Sequence, residues 1–380
     1  MNELARIFQK RLLPPRAWSR FIRGINQRFR RFPAGRGLQS QHASGSWQFS
    51  EGGWMNIGYE MLYLSRADIE EINLPMAEIM DLLENAYIEK HGGRLDMPPK
   101  LGISPAPEAF AHAMPCWLPS MHAAGLKWVG GTPANKPRGL PFLGGLCILN
   151  DPESCMPVCV MDCSWITAKR TGAKSGVCAR RFARSDSRVL GILGCGGQGY
   201  SNLEAMSIAL PALEKVLVYN TSPEPAERLA SSQSERLGIP VRAVRSPREV
   251  VEESDVLVSA GWISLSASRT IEAEWLRPGA TLVPVDLDCM YTPGAMASCD
   301  KYFTDDLAVY DHFRSMGFFS TVPDRPQELC RALAGRIPGR ENDGERIIIL
   351  NNGLALDDVS TARRIFELAL AAGRGTMLPL

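Results

Sequence analysis

The chain has 380 residues, 45% of them hydrophobic and 22% charged, which is enough apolar material for two ordinary cores. Its formal net charge of +1 conceals an imbalance: residues 1–50 hold ten Lys/Arg against the single acid Glu3, and residues 51–380 hold 32 basic and 40 acidic residues, a net −8. That excludes nucleic-acid binding by the globular part on charge grounds, and no apolar run reaches the roughly 18 residues a membrane span needs, so a soluble protein is expected.

Residues 1–56 read as a basic, flexible N-terminal extension. Residues 4–32 are Arg-rich and interspersed with Leu, Ile, Phe and Trp, and they lead into the Gly/Ser/Gln-rich stretch Pro33–Ser46. This composition fits a mitochondrial-type presequence, a surface-binding amphipathic helix, or sequence appended by an upstream start codon. Its apolar stretch is too broken for a secretory signal, so the expected location is the cytoplasm, or the mitochondrial matrix if the segment is a presequence.

A first domain is expected over residues 57–184. It begins with a strand at Met61–Leu64 and a helix at Pro75–His91, whose Ile79, Leu82, Leu83, Ala86 and Tyr87 recur at helical spacing. The runs Lys100–Ser104, Ala109–Pro115, Ala123–Val129 and Leu143–Asn150, separated by Pro/Gly turns, predict an antiparallel set. Val158–Asp162 follows as a strand, and Trp165–Ala183 as a long helix with Arg170 and Lys174 near its start. Lys169 and Lys174 read as solvent-facing.

From Leu190 the pattern becomes βαβ: Leu190–Leu193, Val216–Tyr219, Val241–Val244, Val256–Ala260, Leu282–Asp286 and Tyr302–Thr304 suit one doubly wound parallel sheet over residues 185–325. A strand at Ile347–Asn351 and a helix at Ser360–Ala372 come too late for it, so residues 326–380 are expected to return to the first domain. The fold class is therefore α/β, a Rossmann-type doubly wound sheet inserted into a second, mixed α+β domain, with a substrate cleft between them.

Residues 189–199, VLGILGCGGQG, place an apolar strand before Gly194-x-Gly196-x-x-Gly199 and the helical stretch Tyr200–Ala209 after it. Gly194 permits the turn, Gly196 lets a pyrophosphate approach the backbone, and Gly199 lets helix and strand pack closely. With Gly197 and Gln198, these residues would offer free N–H groups to the phosphates of NAD or NADP. The second strand, Lys215–Asn220, ends in Asn220, Thr221 and Ser222 where NAD-selective chains carry Asp or Glu. That favours NADP slightly and leaves NAD open, since no Arg adjoins Asn220 to pair with a 2′-phosphate.

The ten cysteines lack paired spacing and suit a reducing compartment. Cys155, Cys159 and Cys163 recur every fourth residue, yet Pro157 and the β-like Val158–Met161 would splay them. His91, His122 and His312 show no ligand spacing, so no metal is expected.

Four further motifs carry chemistry: LKWVGGTP (126–133) with RGLP (138–141), TAKRTGAKSG (167–176), VDLD (285–288) and NNGLALDDVS (351–360). Together with GILGCGGQG they make the chain, from about Met61 to Ala372, resemble the ornithine cyclodeaminase/mu-crystallin family. The resemblance implies a homodimer, an NAD(P)-binding domain, a mixed-sheet substrate and dimerisation domain, and chemistry at the Cα–N bond of an amino or imino acid. It implies that Lys127 lies beside the substrate carboxylate and reacting carbon, that Arg170 grips that carboxylate, and that Asp286 serves the amino group or an attacking water. Lys100 stands where many members carry a second carboxylate-binding arginine, and a lysine cannot make the bidentate fork. His112 stands where ornithine-cyclising members have glutamate, which speaks against ornithine. Thr171 falls among the implied cofactor-binding residues and Gly353 among the substrate-binding ones.

The residues themselves support these roles. Arg170 near a helix start and Lys127 on a strand could converge on a carboxylate, and a lysine beside another cation disfavours its ammonium form and can shuttle a proton. Asp288 competes with Asp286, and His112 can equally be a packed or solvated histidine. The leading expectation is an NAD(P)-dependent amino-acid dehydrogenase or ketimine reductase. The alternatives are a cyclodeaminase-type lyase without net redox change and a non-catalytic NADPH-dependent small-molecule binding protein.

Overall fold

The computed structural model describes residues 46–48 and 54–380; the expectations for residues 1–45 lie outside the described residues. Two sheets dominate. The first has seven strands in the order Thr376–Pro379, Glu60–Leu64, Pro157–Asp162, Leu143–Asn150, Ala123–Gly131, Phe110–Leu118, Leu101–Ile103. Glu60–Leu64 runs parallel to Pro157–Asp162 and every other pairing is antiparallel, so the sheet is mixed. Alternate residues of Phe110–Leu118 are buried toward its end, because one face of this sheet is covered and the other is not. A short antiparallel pair, Ser46–Gln48 with Trp54–Asn56, precedes it.

The second sheet has eight parallel strands in the order Val241–Ala243, Lys215–Tyr219, Val189–Leu193, Val256–Ser259, Thr281–Pro284, Ile347–Leu350, Lys301–Thr304, Gln327–Glu328. Strand order reverses on either side of Val189–Leu193, so the crevice at its carboxyl end is the topological switch point where ligands bind in such sheets.

One expectation is corrected here. Ile347–Leu350 does not return to the first sheet but lies between Thr281–Pro284 and Lys301–Thr304. All four of its residues are fully buried, as a strand covered on both faces requires, and only a central parallel position offers that cover. The helix that follows, Ala355–Ala372, does pack on the mixed sheet, and the last strand, Thr376–Pro379, pairs with Glu60–Leu64. The helix starts five residues before the expected Ser360 because the Asp357 carboxylate accepts the N–H of Leu354 at 3.0 Å, closing its first turn.

Helix Ser164–Phe182 links the two sheets. Its small residues have a packing cause: a Cβ on Gly172 would stand 2.3 Å from the Ser201 carbonyl oxygen, and one on Gly176 would stand 2.7 Å from Met80. Only glycine there lets it cross helix Gly197–Ala209 at backbone contact. Among the described residues, no helix is long and apolar enough to cross a membrane.

Candidate active site

Val189–Leu193 leads into Gly194, whose φ of +102° and 2.3 Å separation between a built Cβ and the Ala260 carbonyl oxygen both demand glycine. A Cβ on Gly199 would lie 2.5 Å from the Gly194 carbonyl oxygen, so this glycine brings the helix down onto the turn. Gly196 and Gly197 face open space, and no side chain caps the first N–H groups of helix Gly197–Ala209. The turn therefore fits a dinucleotide pyrophosphate, which would take those amides as donors. Gln198 sits in the same first turn, its carbonyl accepting from Asn202 Nδ2 at 2.8 Å.

Asn220 is engaged within the loop. Its Oδ1 accepts the Cys195 N–H at 3.1 Å and its Nδ2 donates to the Ser222 carbonyl at 3.1 Å, while Thr221 and Ser222 are exposed. Arg245 follows the neighbouring parallel strand: Val218 pairs with Ala243 and the Val244 N–H donates to the Val218 carbonyl, so Asn220 and Arg245 each come two residues after the Val218–Ala243 pair. Arg245 is exposed. Thr171 lies one residue before the Gly172 crossing, its hydroxyl donating to the Thr167 carbonyl at 2.7 Å.

Beyond this turn the interior is charged. Lys127, on the third antiparallel strand, is 1% exposed and its Nζ lies 2.7 Å from Asp358 Oδ1. Arg170 Nε lies 2.9 Å from the same oxygen, and its Nη1 is 3.5 Å from Asp357 Oδ2. Lys174, one helical turn after Arg170, lies 2.6 Å from Asp305 Oδ2 and 3.1 Å from Asp357 Oδ2. Asp305 also accepts the N–H groups of Asn352 and Gly353, both at 2.9 Å. Gly353 has φ +77°, and a Cβ on it would stand 2.9 Å from Arg170 Nη1, so glycine is what admits the guanidinium.

Lys100 adds a fourth cation. Its Nζ donates to the Asn352 carbonyl at 2.8 Å and stands 4.5 Å from the Phe313 ring centroid. Burial and the charges of Arg170, Lys127 and Lys174, opposed by Asp305, lower its pKa to about 7. Burial and Arg170 likewise lower that of Lys127, against the pull of Asp358. His112 is pushed down to about 4 by burial and by Lys100, Lys127 and His312, so it is neutral at pH 7.

Asp286 occupies the carboxyl end of Thr281–Pro284 and is 1% exposed. Its oxygens accept from Ser259 Oγ at 2.7 Å and from the Gly261 N–H at 3.0 Å, not from Lys127 or Arg170. Burial raises its pKa to about 6. Asp288 has a structural occupation: it lies 2.9 Å from Arg269 Nη2 and accepts the Phe319 N–H.

A glycine turn at the switch point, followed by buried cations around Lys127 and Arg170, coincides with a match of residues 60–373 to the ornithine cyclodeaminase/mu-crystallin family model. The chain belongs to this family. Among similar proteins, the nodulation efficiency protein NfeD of Rhizobium meliloti is 33% identical over 319 residues, covering 83% of this chain and 98% of NfeD. The structure of Thermococcus litoralis Δ1-pyrroline-2-carboxylate reductase in complex with NADH and L-proline is 32% identical, with a TM-score of 0.75 over 83% of this chain and 99% of that one. An archaeal alanine dehydrogenase dimer with bound NAD is 31% identical, with a TM-score of 0.75 over 84% of this chain and 99% of that one.

Within this family member, Lys100, Lys127, Arg170 and Gly353 come together around one buried cluster, with His112 at its edge. Asp286 hydrogen-bonds elsewhere. Lys174 corrects the reading of a solvent-facing lysine: it is 1% exposed and holds Asp305 and Asp357. Sequence reasoning also missed Asp305, Asp357 and Asp358. The signal was present, since Lys174 follows Arg170 by four residues and so shares its helix face, and the Asp357-Asp358 pair lay inside a motif already singled out. Lys169 is partly buried, 2.6 Å from Glu204.

Proposed function

We propose that this protein is an NAD(P)-dependent oxidoreductase acting on the Cα–N bond of an amino acid, imino acid or cyclic ketimine. The observation that carries this is the charge balance: Lys100, Lys127, Arg170 and Lys174 face three buried carboxylates, Asp305, Asp357 and Asp358. Among the described residues the surplus cation is Lys100, whose ammonium donates to the backbone carbonyls of Asn352 and Gly353 and to no carboxylate. A substrate carboxylate supplies the missing anion. Arg170 and Lys127, already oriented by Asp358, then hold that carboxylate and its α-carbon, and Lys127 or Asp286, with pKa values moved toward neutrality, handles the proton. The bound nicotinamide supplies the hydride chemistry at the α-carbon.

Similar proteins at 31–32% identity include a Δ1-pyrroline-2-carboxylate reductase and an alanine dehydrogenase, whereas a lysine cyclodeaminase is 25% identical, which favours this reading over a cyclodeaminase. Incubation with amino acids and cyclic imines and each cofactor, followed by reduced-nicotinamide absorbance and ammonia release, tests it: net absorbance change supports the oxidoreductase, and ammonia release without it supports the lyase.

For the cofactor, the absence of a carboxylate at Asn220 and an exposed Arg245 in the loop after the adjacent strand favour NADP(H). Arg245→Ala is expected to weaken NADPH about tenfold and leave NADH nearly unmoved, by fluorescence titration. For assembly, the uncovered face of the mixed sheet carries a transverse row, Leu101, Ala113, Trp128 and Leu146, in register across four strands. Leu101, Trp128 and Leu146 are 73%, 43% and 41% exposed, an apolar face suited to a second copy in a homodimer. All ten cysteines are free thiols, which fits a reducing cytoplasm.

A further inference from the structure

One face of the strand Phe110–Leu118 presents Met114, His112 and Phe110 in succession, opposite Lys127, Val129 and Gly131. Each step of two residues advances about 7 Å along the sheet. The first row holds the anchoring lysine. The second holds the neutral His112. The third is apolar, and Gly131 makes room for it: a Cβ there would lie 3.1 Å from the Phe110 ring.

The rings continue beyond that row. Phe110 lies tilted against His112 at 4.8 Å between centroids and meets Phe142 edge-on at 6.4 Å. Phe142 in turn lies 5.0 Å from Trp262, which belongs to the parallel-sheet half. Trp262 is placed by its neighbour, because the Gly261 N–H donates to Asp286. Phe142 and Trp262 remain 43% and 45% exposed, so where they meet they offer a joint apolar surface to a ligand.

We propose that Phe110, Phe142 and Trp262 receive an uncharged, apolar side chain, aryl or branched alkyl, of the amino or imino acid, and that these rings are specificity-determining residues. The inference rests on the carboxylate-anchoring reading of the previous subsection and adds the class of side chain. Electrostatics points the same way. A substrate ammonium at this end would find no carboxylate among these rings, only a neutral imidazole, with Lys100 and Lys127 close by to repel it.

Calorimetric titration of the full-length protein saturated with cofactor tests this with three carboxylates: 3-phenylpropanoate, propanoate and 6-aminohexanoate. The phenyl compound is expected to bind at least about tenfold tighter than either of the others, the discrimination a well-formed apolar pocket provides. Trp262→Ala and Phe142→Ala, at exposed positions outside the core, are each expected to reduce that ratio to about threefold or less, and Arg170→Lys is expected to weaken all three compounds together. If none of the three binds, the carboxylate site fails and this inference falls with it. If all bind equally, if the ammonium compound binds tightest, or if neither ring substitution moves the ratio, this inference alone is overturned.

Discussion

Lys100 is where charge balance becomes measurable. With its ammonium disfavoured to a pKa of about 7, the free site is largely uncharged at this position by pH 8, and a bound carboxylate restores the charge. Substrate binding at pH 8 should therefore take up a proton, visible as a dependence of calorimetric enthalpy on the buffer's ionisation enthalpy, and should take up little below pH 6. Between about 7 and the ordinary lysine value the unfolded chain holds more protons than the folded one, so stability without ligand rises with pH across that window. Arg170→Lys keeps the charge but loses the paired donors. It should cost about 1.5–3 kcal/mol of substrate or transition-state binding, roughly tenfold to a hundredfold in kcat/KM, with cofactor affinity unmoved. Asp286 is held from rising further by Ser259 and the Gly261 amide, so Ser259→Ala should raise its pKa above about 6; carboxyl-carbon NMR reads this directly, and an unchanged value would remove Ser259 from that role.

At the scale of elements, the glycines separate into two kinds that mutation should tell apart. Gly196 faces open space, so Gly196→Val should fold with a nearly unchanged melting temperature while losing cofactor affinity, because the side chain fills the approach to the backbone. Gly172 faces the Ser201 carbonyl at contact distance. Gly172→Ala should push helices Ser164–Phe182 and Gly197–Ala209 apart and lower stability by about 1–3 kcal/mol, measured by chemical denaturation. The same helix carries Arg170 and Lys174, so its packing and the site's geometry are one property.

For the whole molecule, the two sheets are tied by charge as well as by packing: Lys127 of the mixed sheet and Arg170 of the linking helix share Asp358, and Lys174 of that helix meets Asp305, after a strand of the parallel sheet. Removing residues 1–45 is expected to leave activity and assembly intact, since the family match begins at residue 60; a soluble but inactive truncation would show that the segment belongs to the enzyme. Trp128→Glu should convert the proposed dimer to monomers in sedimentation, by placing a charge in the centre of the uncovered sheet face.

The glycine turn, the order of strands and helices, and the family were legible in the sequence because they rest on local requirements: a glycine where φ is positive, apolar runs at strand spacing, and long motifs kept intact. Chain order misled for Ile347–Leu350. Its unbroken apolar run already had the pattern of a strand covered on both faces, but which sheet provides the cover depends on contacts distant in sequence. The burial of Lys174 with Asp305 and Asp357 was equally hidden, since a lysine on a helix is solvated unless a distant carboxylate meets it. Phe142 meets Trp262 only because the two halves close on each other. The sequence by itself determined the element types, the dinucleotide turn and the residue kinds available for chemistry. The tertiary structure alone decided which charges are paired, which cation is left over and which rings meet, because burial and Coulomb interaction depend on distances that chain separation does not set.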